Sequence, residues 1–541
     1  MFNRRDFIKT ATAAGSLGLT HSLQAFASKQ AEATGFFGVH RFIENNPEAV
    51  FIMKTNVDVK NNAEAKVKAG SDFSSSVFVP VSEEDGGAPL THNVAIKPNM
   101  TWAQMTNSKA TEEGCRGIVT DPEVVEGVVE GMKGLGLSSS QFYTRDKWSY
   151  NGSTSQLEFV GYKQMSERTG VNIGGSEQGA KADTLSEDQV VWIDIPDGEW
   201  FTRIPYLWPI NSPDSFLLNI AKFKAHSMGI TGCAKNLQGS IATPYVGHCT
   251  AWGRSMGLGD GHVVTDAYDN IKEHYDRHVA DGIPRWEKAG TNVQGGLGME
   301  TWCHRCLDNN SVTKPALHIT EGVYGRNGNF VDGPGEDGLA QDFMSNVIIF
   351  GKNAFNVDII SHWLAGHEPG NIGLFHLAIE RNQSTKLNPM DIPVYEWTAD
   401  GAATRTPLTD FDRTPLLTLY MRKDYNGNDE AKYHMVDEPF EYSAATGVFS
   451  PDRPQAIVLN QNIPNPFNPS TAIEYNLPSN GHVRVEVFNA AGQLVDVLAD
   501  GYRSVGSHMA VWNTNNQPSG IYFYRLRFGG FSETKKMTLL K

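Results

Sequence analysis

Strand and helix signals alternate along residues 34–400, and this alternation is the feature that most restricts the fold. Residues 92–97 centre on the apolar Val94-Ala95-Ile96 and are stopped by Pro98, as expected for a strand. A helix is expected from Pro122, because Asp121 suits an N-cap and valines then recur at helical spacing. Strands that alternate with helices are typical of parallel sheets. We therefore predict an α/β domain with a largely parallel sheet flanked by helices.

The remaining signals of this region follow the same pattern, except in one long segment. Further strands are expected at residues 141–144, 190–195, 216–223, 316–320 and 347–350, and further helices at residues 157–168, 354–365 and 372–381. Between residues 244 and 310 the pattern is lost, and Gly, His, Trp and Asp are dense. We predict a long insertion there, over the C-terminal edge of the sheet. Long structured insertions are often functional.

Basic and amide side chains follow a predicted buried strand closely, within the stretch from Leu217 to Ser240. Ligand sites in open α/β sheets lie beyond the carboxyl ends of the strands. Lysine binds anions as a compact charge and acts as a base when it is desolvated. We therefore predict a site for a carboxylate or a phosphate, in which Lys224 and Lys235 hold the anion and His226 is the acid or base. The other predicted ligand-binding residues are Lys97, Asn99, Lys222 and Asn236. The alternative for each lysine is a solvated side chain or one paired with a structural carboxylate.

Five cysteines in 541 residues do not make a disulfide framework. Cys303 and Cys306 have the spacing that suits two thiolates on one metal, and two distant cysteines would complete a four-thiolate zinc or iron–sulfur site. The predicted metal ligands are Cys233, Cys249, Cys303 and Cys306. A disulfide between Cys303 and Cys306, or free thiols, are the alternatives in an exported protein. For His274 and His278, four residues apart, a solvated helix face is favoured over a shared metal.

The N-terminus has the features of an export signal. Arg4 and Arg5 precede a weakly apolar segment that ends in Ala25-Phe26-Ala27. This arrangement resembles a twin-arginine signal cleaved after Ala27, although Asn3 stands where Ser or Thr is usual. The resemblance implies the twin-arginine translocase as a partner, the periplasm as a transit compartment, and a body that is exported already folded.

Charge and motif content exclude several other classes. Acidic residues (61) exceed basic residues (46), and the net charge of -15 argues against nucleic-acid binding. No further apolar run is long enough to predict a transmembrane segment. No Gly-x-Ser-x-Gly elbow, P-loop or dinucleotide fingerprint occurs in the context that its chemistry requires.

The C-terminal part of the chain has the pattern of short strands. Residues 401–455 are polar and predict a linker, whereas residues 456–541 show period-2 alternation and regular turn signals. They predict a small immunoglobulin-like β-sandwich. The runs NPFNP at 465–469 and PSGIY at 518–522 are similar to the type A sorting domain of the type IX secretion system. That resemblance implies the type IX secretion machinery as a partner and an extracellular or outer-membrane surface location, with the body released or attached.

An ordered set of motifs in the body resembles the family called domain of unknown function 362. The motifs are IKPN at 96–99, DPEVV at 121–125, KFKAH at 222–226, CAKNLQG at 233–239, EGV at 321–323, GPG at 333–335 and NVD at 356–358. The resemblance covers roughly residues 50–385. This chain has Glu321 where many members have Asp, and it lacks the ferredoxin-like cysteine cluster of some members.

Three functions are consistent with these observations. The first is an extracellular enzyme that acts on a small anionic substrate at the C-terminal edge of the sheet, with or without help from a bound metal. The second is a metal or iron–sulfur binding protein that carries electrons or a ligand without turnover. The third is a structural surface protein.

Overall fold

The computed structural model describes residues 35–100, 111–146, 155–174, 184–226, 229–242, 262–284, 296–419, 433–442, 457–477, 481–503, 506–514, 517–529 and 531–540. The predicted twin-arginine signal, residues 1–27, lies outside them. The chain divides into two compact units, of which the second comprises Glu441–Lys541 with Glu380–Asn382. None of the helices within the described ranges is both long and apolar enough to cross a membrane.

The first unit contains a central sheet with helices around it. Its described strands are β1 (Phe36–Val39), β2 (Val50–Lys54), β3 (Phe78–Pro80), β4 (Ala88–Pro89), β5 (Asn93–Pro98), β6 (Phe142–Thr144), β7 (Val190–Asp194), β8 (Arg203–Leu207), β9 (Ser215–His226), β10 (Gly229–Ile230), β11 (Leu317–Arg326), β12 (Asp342–Gly351), β13 (Val394–Trp397) and β14 (Ala403–Arg405). The described α-helices are α1 (Arg41–Glu44), α2 (Ala63–Val77), α3 (Glu112–Arg116), α4 (Pro122–Lys133), α5 (Ser155–Phe159), α6 (Tyr162–Thr169), α7 (Cys233–Asn236), α8 (Ala267–Ala280), α9 (Leu297–Val312), α10 (Ala354–Leu364) and α11 (Gly373–Glu380).

The strand order of the central sheet is β14-β13-β2-β12-β11-β9-β5-β6, and β10 pairs with β9. The four strands β11, β9, β5 and β6 are parallel, which confirms the predicted α/β fold with a largely parallel sheet. Strand β12 runs antiparallel to both of its neighbours. The connection from β11 to β12, residues 327–341, contains no helix. A parallel return needs a crossover of a dozen or more residues, usually a helix, so β12 reverses direction.

Helix α4 forms where the sequence predicts it. The Asp121 carboxylate caps it by accepting hydrogen bonds from the N–H groups of Glu123 (3.0 Å) and Val124 (3.4 Å). Its valines are buried. Helices α2 and α4 cross at glycines, and a Cβ added at Gly127 would lie 2.1 Å from the Val67 carbonyl oxygen. This close approach fixes α4, and with it Asp121, near the C-terminal end of the sheet.

Two segments outside the predicted sheet pattern contribute to the first unit. The predicted insertion contains α8 and α9 among its described residues, and α9 is buried over most of its surface. Part of the predicted linker, residues 401–455, belongs to the first unit instead. Strand β14 pairs with β13, and Leu408, Phe411 and Leu416 are buried because their apolar side chains complete the core.

The second unit consists of two antiparallel sheets around a core of alternating apolar side chains. Its described strands are β15 (Val458–Leu459), β16 (Ser470–Leu477), β17 (Gly481–Asn489), β18 (Leu494–Arg503), β19 (Gly506–Asn513), β20 (Gly520–Phe528) and β21 (Phe531–Leu539). One sheet has the order β15-β16-β19 and the other β18-β17-β20-β21. Val485, Trp512 and Tyr524 are buried between them. This architecture confirms the predicted β-sandwich.

Candidate functional site

Strand β9 extends past the regular edge of the central sheet, and two of the three predicted catalytic residues, Lys224 and His226, lie on this extension. Pairing with β5 ends at Ile220, and pairing with β11 is interrupted after Lys222 before Arg326 meets Lys224. Lys222, Lys224 and His226 occupy alternate positions of one strand, so they point to the same side. The site therefore begins where the parallel strands end, as expected for an open α/β sheet.

The Phe330 ring contacts both Lys224 and His226. The Lys224 Nζ atom lies 5.1 Å from the centroid of the Phe330 ring, and the His226 imidazole meets the same ring edge-to-face at 5.4 Å. Both basic side chains are buried, at 1% and 5% exposure. Phe330 itself has a positive φ of 59°. An aromatic residue in that region costs about 1–3 kcal/mol, which the surrounding structure must offset.

The third predicted catalytic residue, Lys235, lies on α7 with 6% exposure. Burial lowers the pKa of His226 well below its usual range, and the positive charges of Lys235 and Lys224 lower it further. Both lysines are thus close enough to act on the same imidazole. His226 is consequently neutral near pH 7, which leaves a ring nitrogen able to accept a proton. The structure brings Lys224, His226 and Lys235 together.

Lys97, one of the predicted ligand-binding lysines, is neutralised by a carboxylate. Its Nζ lies 2.6 Å from Asp146 Oδ2 and donates to Asn236 Oδ1 at 3.1 Å, with both charged side chains buried. The Asn236 amide in turn donates to the Lys97 carbonyl oxygen (3.0 Å) and to Asn219 Oδ1 (2.8 Å). A Cβ at Gly239 would lie 2.8 Å from Asp146 Oδ2, so a larger residue there would displace the Lys97–Asp146 pair. These bonds tie β5 and β9 to α7 beneath the candidate site.

Lys222 is also paired with a buried carboxylate. Its Nζ lies 2.7 Å from Glu321 Oε2, and both side chains are fully buried. The Lys222 ammonium also lies 3.5 Å from the centroid of the Tyr324 ring. Burial lowers the pKa of Lys222 and raises the pKa of Glu321, and the ion pair opposes both effects. For Lys97 and Lys222 the structure therefore shows the predicted alternative, pairing with structural carboxylates.

The Lys222–Glu321 pair continues into a buried network at the start of α4. The backbone N–H of Asp121 donates to Glu321 Oε2 at 3.1 Å. Asp121 Oδ2 lies 2.8 Å from Lys66 Nζ and accepts a hydrogen bond from the Tyr324 hydroxyl, also at 2.8 Å. The positive Lys66 helps to hold the pKa of Asp121 below its usual range against the effect of burial. This network joins α2, α4 and β11 below the site, and we interpret it as structural support.

Cys233, a predicted metal ligand, lies at the start of α7 beside Asp358. The Asp358 carboxylate accepts hydrogen bonds from the backbone N–H groups of Cys233 and Ala234. Burial raises the pKa of Asp358 to about 7 despite these bonds. Burial and Asp358 together raise the pKa of the Cys233 thiol well above its usual range. In this environment the thiol stays protonated, whereas a metal ligand must be a thiolate.

Cys303 and Cys306 lie on α9, and both are buried. No disulfide joins any two of the four cysteines that the structure describes. Cys249 lies outside the described residues. Within the described ranges, no group of three or more His, Cys, Asp or Glu side chains is arranged to hold a metal ion. Zinc or iron–sulfur binding by Cys233, Cys249, Cys303 and Cys306 therefore stays a prediction.

The solvated helix face predicted for His274 and His278 is wrong for His278. This imidazole is 1% exposed, and its Nδ1 atom lies 2.7 Å from Glu300 Oε1 on the neighbouring helix α9. His304 Nε2 lies 3.3 Å from the same oxygen. The packing of α8 against α9 buries the histidine, and the carboxylate supplies the polar contact that burial requires.

Sequence reasoning missed two residues near the candidate site, and the role predicted for a third stays a prediction. Phe330 gives no local signal, because a single aromatic in a loop is ordinary. Thr231 is fully buried, its N–H donates to the Lys224 carbonyl oxygen at 2.8 Å, and its hydroxyl has no hydrogen-bond partner among the described residues. Asn99, which the sequence predicts as a ligand-binding residue, is 2% exposed, and its Oδ1 atom is likewise unpartnered within the described part of the chain.

Comparisons with known proteins agree with both resemblances. Residues 94–362 match the family model described as Domain of unknown function (DUF362), and residues 463–539 match the Secretion system C-terminal sorting domain. No curated protein matches the chain. Among solved structures, dimeric latent PorU from Porphyromonas gingivalis is similar with 22% sequence identity and a TM-score of 0.13. That similarity covers 16% of this chain and 9% of PorU, so it is local and bears on neither fold nor function.

Proposed function

This chain is a secreted protein with a DUF362 domain and a type IX sorting domain, and on that premise we propose that its body binds and acts on a small anionic ligand beside Lys224, Lys235 and His226. The sorting domain indicates export to the cell surface or beyond, through the type IX secretion machinery. We further propose that the twin-arginine translocase carries the folded protein across the inner membrane, as the Arg4-Arg5 pattern indicates.

The convergence of buried basic side chains at the end of β9 supports the anion site. Lys97 and Lys222 each have a buried carboxylate within 2.7 Å, so their charges are used within the fold. Lys224 and His226 both contact the Phe330 ring, and burial, followed by the charges of Lys235 and Lys224, lowers the pKa of His226. An anion bound among these three side chains would relieve the repulsion. The burial of Lys224, His226 and Lys235 at the end of β9, with Lys224 and His226 against one ring, is the observation that carries the proposal.

The same electrostatics define a role for His226. Without a ligand its pKa lies well below the usual range, and the neutral imidazole is a base. A bound anion favours the protonated imidazolium, so ligand binding raises the pKa of His226 toward neutrality. A group that titrates near the working pH transfers protons efficiently. Lys224 and Lys235 would hold the anionic group, and His226 would exchange a proton with the bound ligand.

Titration of the full-length protein with inorganic phosphate and with acetate tests this assignment. We expect at least one of these anions to bind, and Lys235→Met to weaken its binding at least tenfold, because one of the two cationic partners is lost. Lys54→Met is the matched control, since the Lys54 side chain is 52% exposed and pairs with Glu396. Affinity should also rise as pH falls, because binding takes up a proton on His226. The assignment is overturned if neither anion binds or if Lys235→Met binds as tightly as the control.

A further inference from the structure

Phe330 stands between the candidate anion site and the outside of the first unit. Its ring is only partly buried, whereas Lys224 and His226, which both contact it, are almost fully buried. The ring therefore forms an apolar surface that continues from the two basic groups toward solvent. A ligand whose anionic group lies beside these cations would have this ring next to it.

The backbone holds Phe330 in place at the expense of local strain. Its φ of 59° lies in the left-handed region, which aromatic residues rarely adopt. The Phe330 carbonyl oxygen accepts a hydrogen bond from Arg326 Nη1 at 3.1 Å. Arg326 is itself fixed by two hydrogen bonds to the Asp342 carboxylate, at 2.7 and 2.8 Å. A bidentate ion pair thus braces the loop that presents the ring. Strain of this kind is concentrated at ligand sites.

We propose that Phe330 is a specificity-determining residue, and that the ligand of this site is an anion carried on an aromatic or other flat apolar body. This inference rests on the proposed anion site and adds the chemical class of the ligand. The carboxylate or phosphate group lies among Lys224, Lys235 and His226, and the apolar body packs against the Phe330 ring. Aromatic surfaces pair favourably in stacked or edge-to-face arrangements, so such a ligand gains affinity that a bare anion does not.

The test compares simple and aromatic anions on the full-length protein by calorimetry. The probes are inorganic phosphate against phenyl phosphate, and acetate against benzoate, so that the two kinds of anionic group are measured separately. We expect the aromatic member of at least one pair to bind at least tenfold more tightly. Phe330→Asn should abolish this preference, so that the simple and the aromatic anion of each pair bind with affinities within twofold of each other. Asparagine adopts the left-handed region readily, so the backbone is kept. Phe330→Tyr, which keeps a ring, should retain the preference.

The outcomes separate this inference from the anion site itself. Equal binding of simple and aromatic anions by the wild-type protein overturns the role of Phe330 and leaves the anion site standing. The role is also overturned if Phe330→Asn weakens both kinds of anion by the same factor, because the ring would then only support the site. Wild-type protein that binds none of the four probes overturns the anion site first, and the inference with it.

Discussion

Replacing Lys222 with methionine should destabilise the first unit by about 3 kcal/mol at pH 7. Lys222 and Glu321 are both fully buried and 2.7 Å apart. Methionine fills a similar volume, so the main effect is a buried carboxylate without its cation. Removal of one partner of such a pair typically costs about 3–5 kcal/mol. We expect the lower end of this range, because Glu321 keeps hydrogen bonds from the backbone N–H groups of Asp121 (3.1 Å) and Val323 (3.0 Å).

The stability lost on replacing Lys222 with methionine should depend on pH. Burial already raises the pKa of Glu321, and Lys222 is the main group that lowers it. Without Lys222 the folded-state pKa rises further above the unfolded value. A raised folded-state pKa gives stability that is present at low pH and lost as pH rises through that pKa. The destabilisation by Lys222→Met should therefore be larger at pH 8 than at pH 5. The double variant Lys222→Met/Glu321→Gln, which removes the uncompensated charge, should recover at least about 1 kcal/mol of it.

Urea unfolding followed by tryptophan fluorescence measures these differences in the full-length protein. Trp200, Trp302 and Trp397 are buried in the first unit, and Trp512 is buried in the second. Only the transition of the first unit should shift. The anion affinity of the folded Lys222→Met protein should stay within threefold of wild type, because Glu321 already neutralises Lys222. A loss below about 1 kcal/mol that does not vary with pH, or an anion affinity that falls as much as in Lys235→Met, would refute the reasoning.

Two further predictions concern acid stability and export. Burial lowers the pKa of His318 to about 3. The stability that the neutral imidazole contributes is therefore fully present above the usual pKa near 6.5. It is lost as pH falls from there toward the folded-state pKa, by about 1.4 kcal/mol per pH unit. His318→Asn keeps an acceptor for Asn219 and should reduce the slope of stability against pH by about 1.4 kcal/mol per pH unit in urea titrations between pH 6.5 and 4. An unchanged slope would contradict the assignment. Replacing both Arg4 and Arg5 with lysine should leave the precursor in the cytoplasm, as measured by immunoblots of cell fractions. The control variant Arg41→Lys should be exported normally. Export of the double variant at the wild-type level would exclude the twin-arginine route.

Local signals account for the parts of the fold that the sequence predicts correctly. The start of α4 was predictable because Asp121, Pro122 and the valine spacing act within one or two helical turns. The strands of the β-sandwich were predictable because their alternation matches one buried and one exposed face. Helix α9 was not predictable, since it is buried on nearly all sides and so has no apolar stripe opposite a polar one.

The sequence by itself determined the α/β class of the body, the β-sandwich of the C-terminal part and the sorting domain, and it placed the basic residues along and just after β9. Only the tertiary structure decided that Lys97 and Lys222 are paired with buried carboxylates. Lys97 meets Asp146 across 49 residues of chain, and Lys222 meets Glu321 across 99. In the sequence, Lys97 and Lys222 cannot be distinguished from the other lysines. The carboxylate that neutralises a lysine is whichever one the fold brings within about 3 Å of it, at any distance along the chain. The placement of Phe330 against Lys224 and His226 has the same cause, since the bulge in β11 and the reversal into β12 bring that loop over the end of β9.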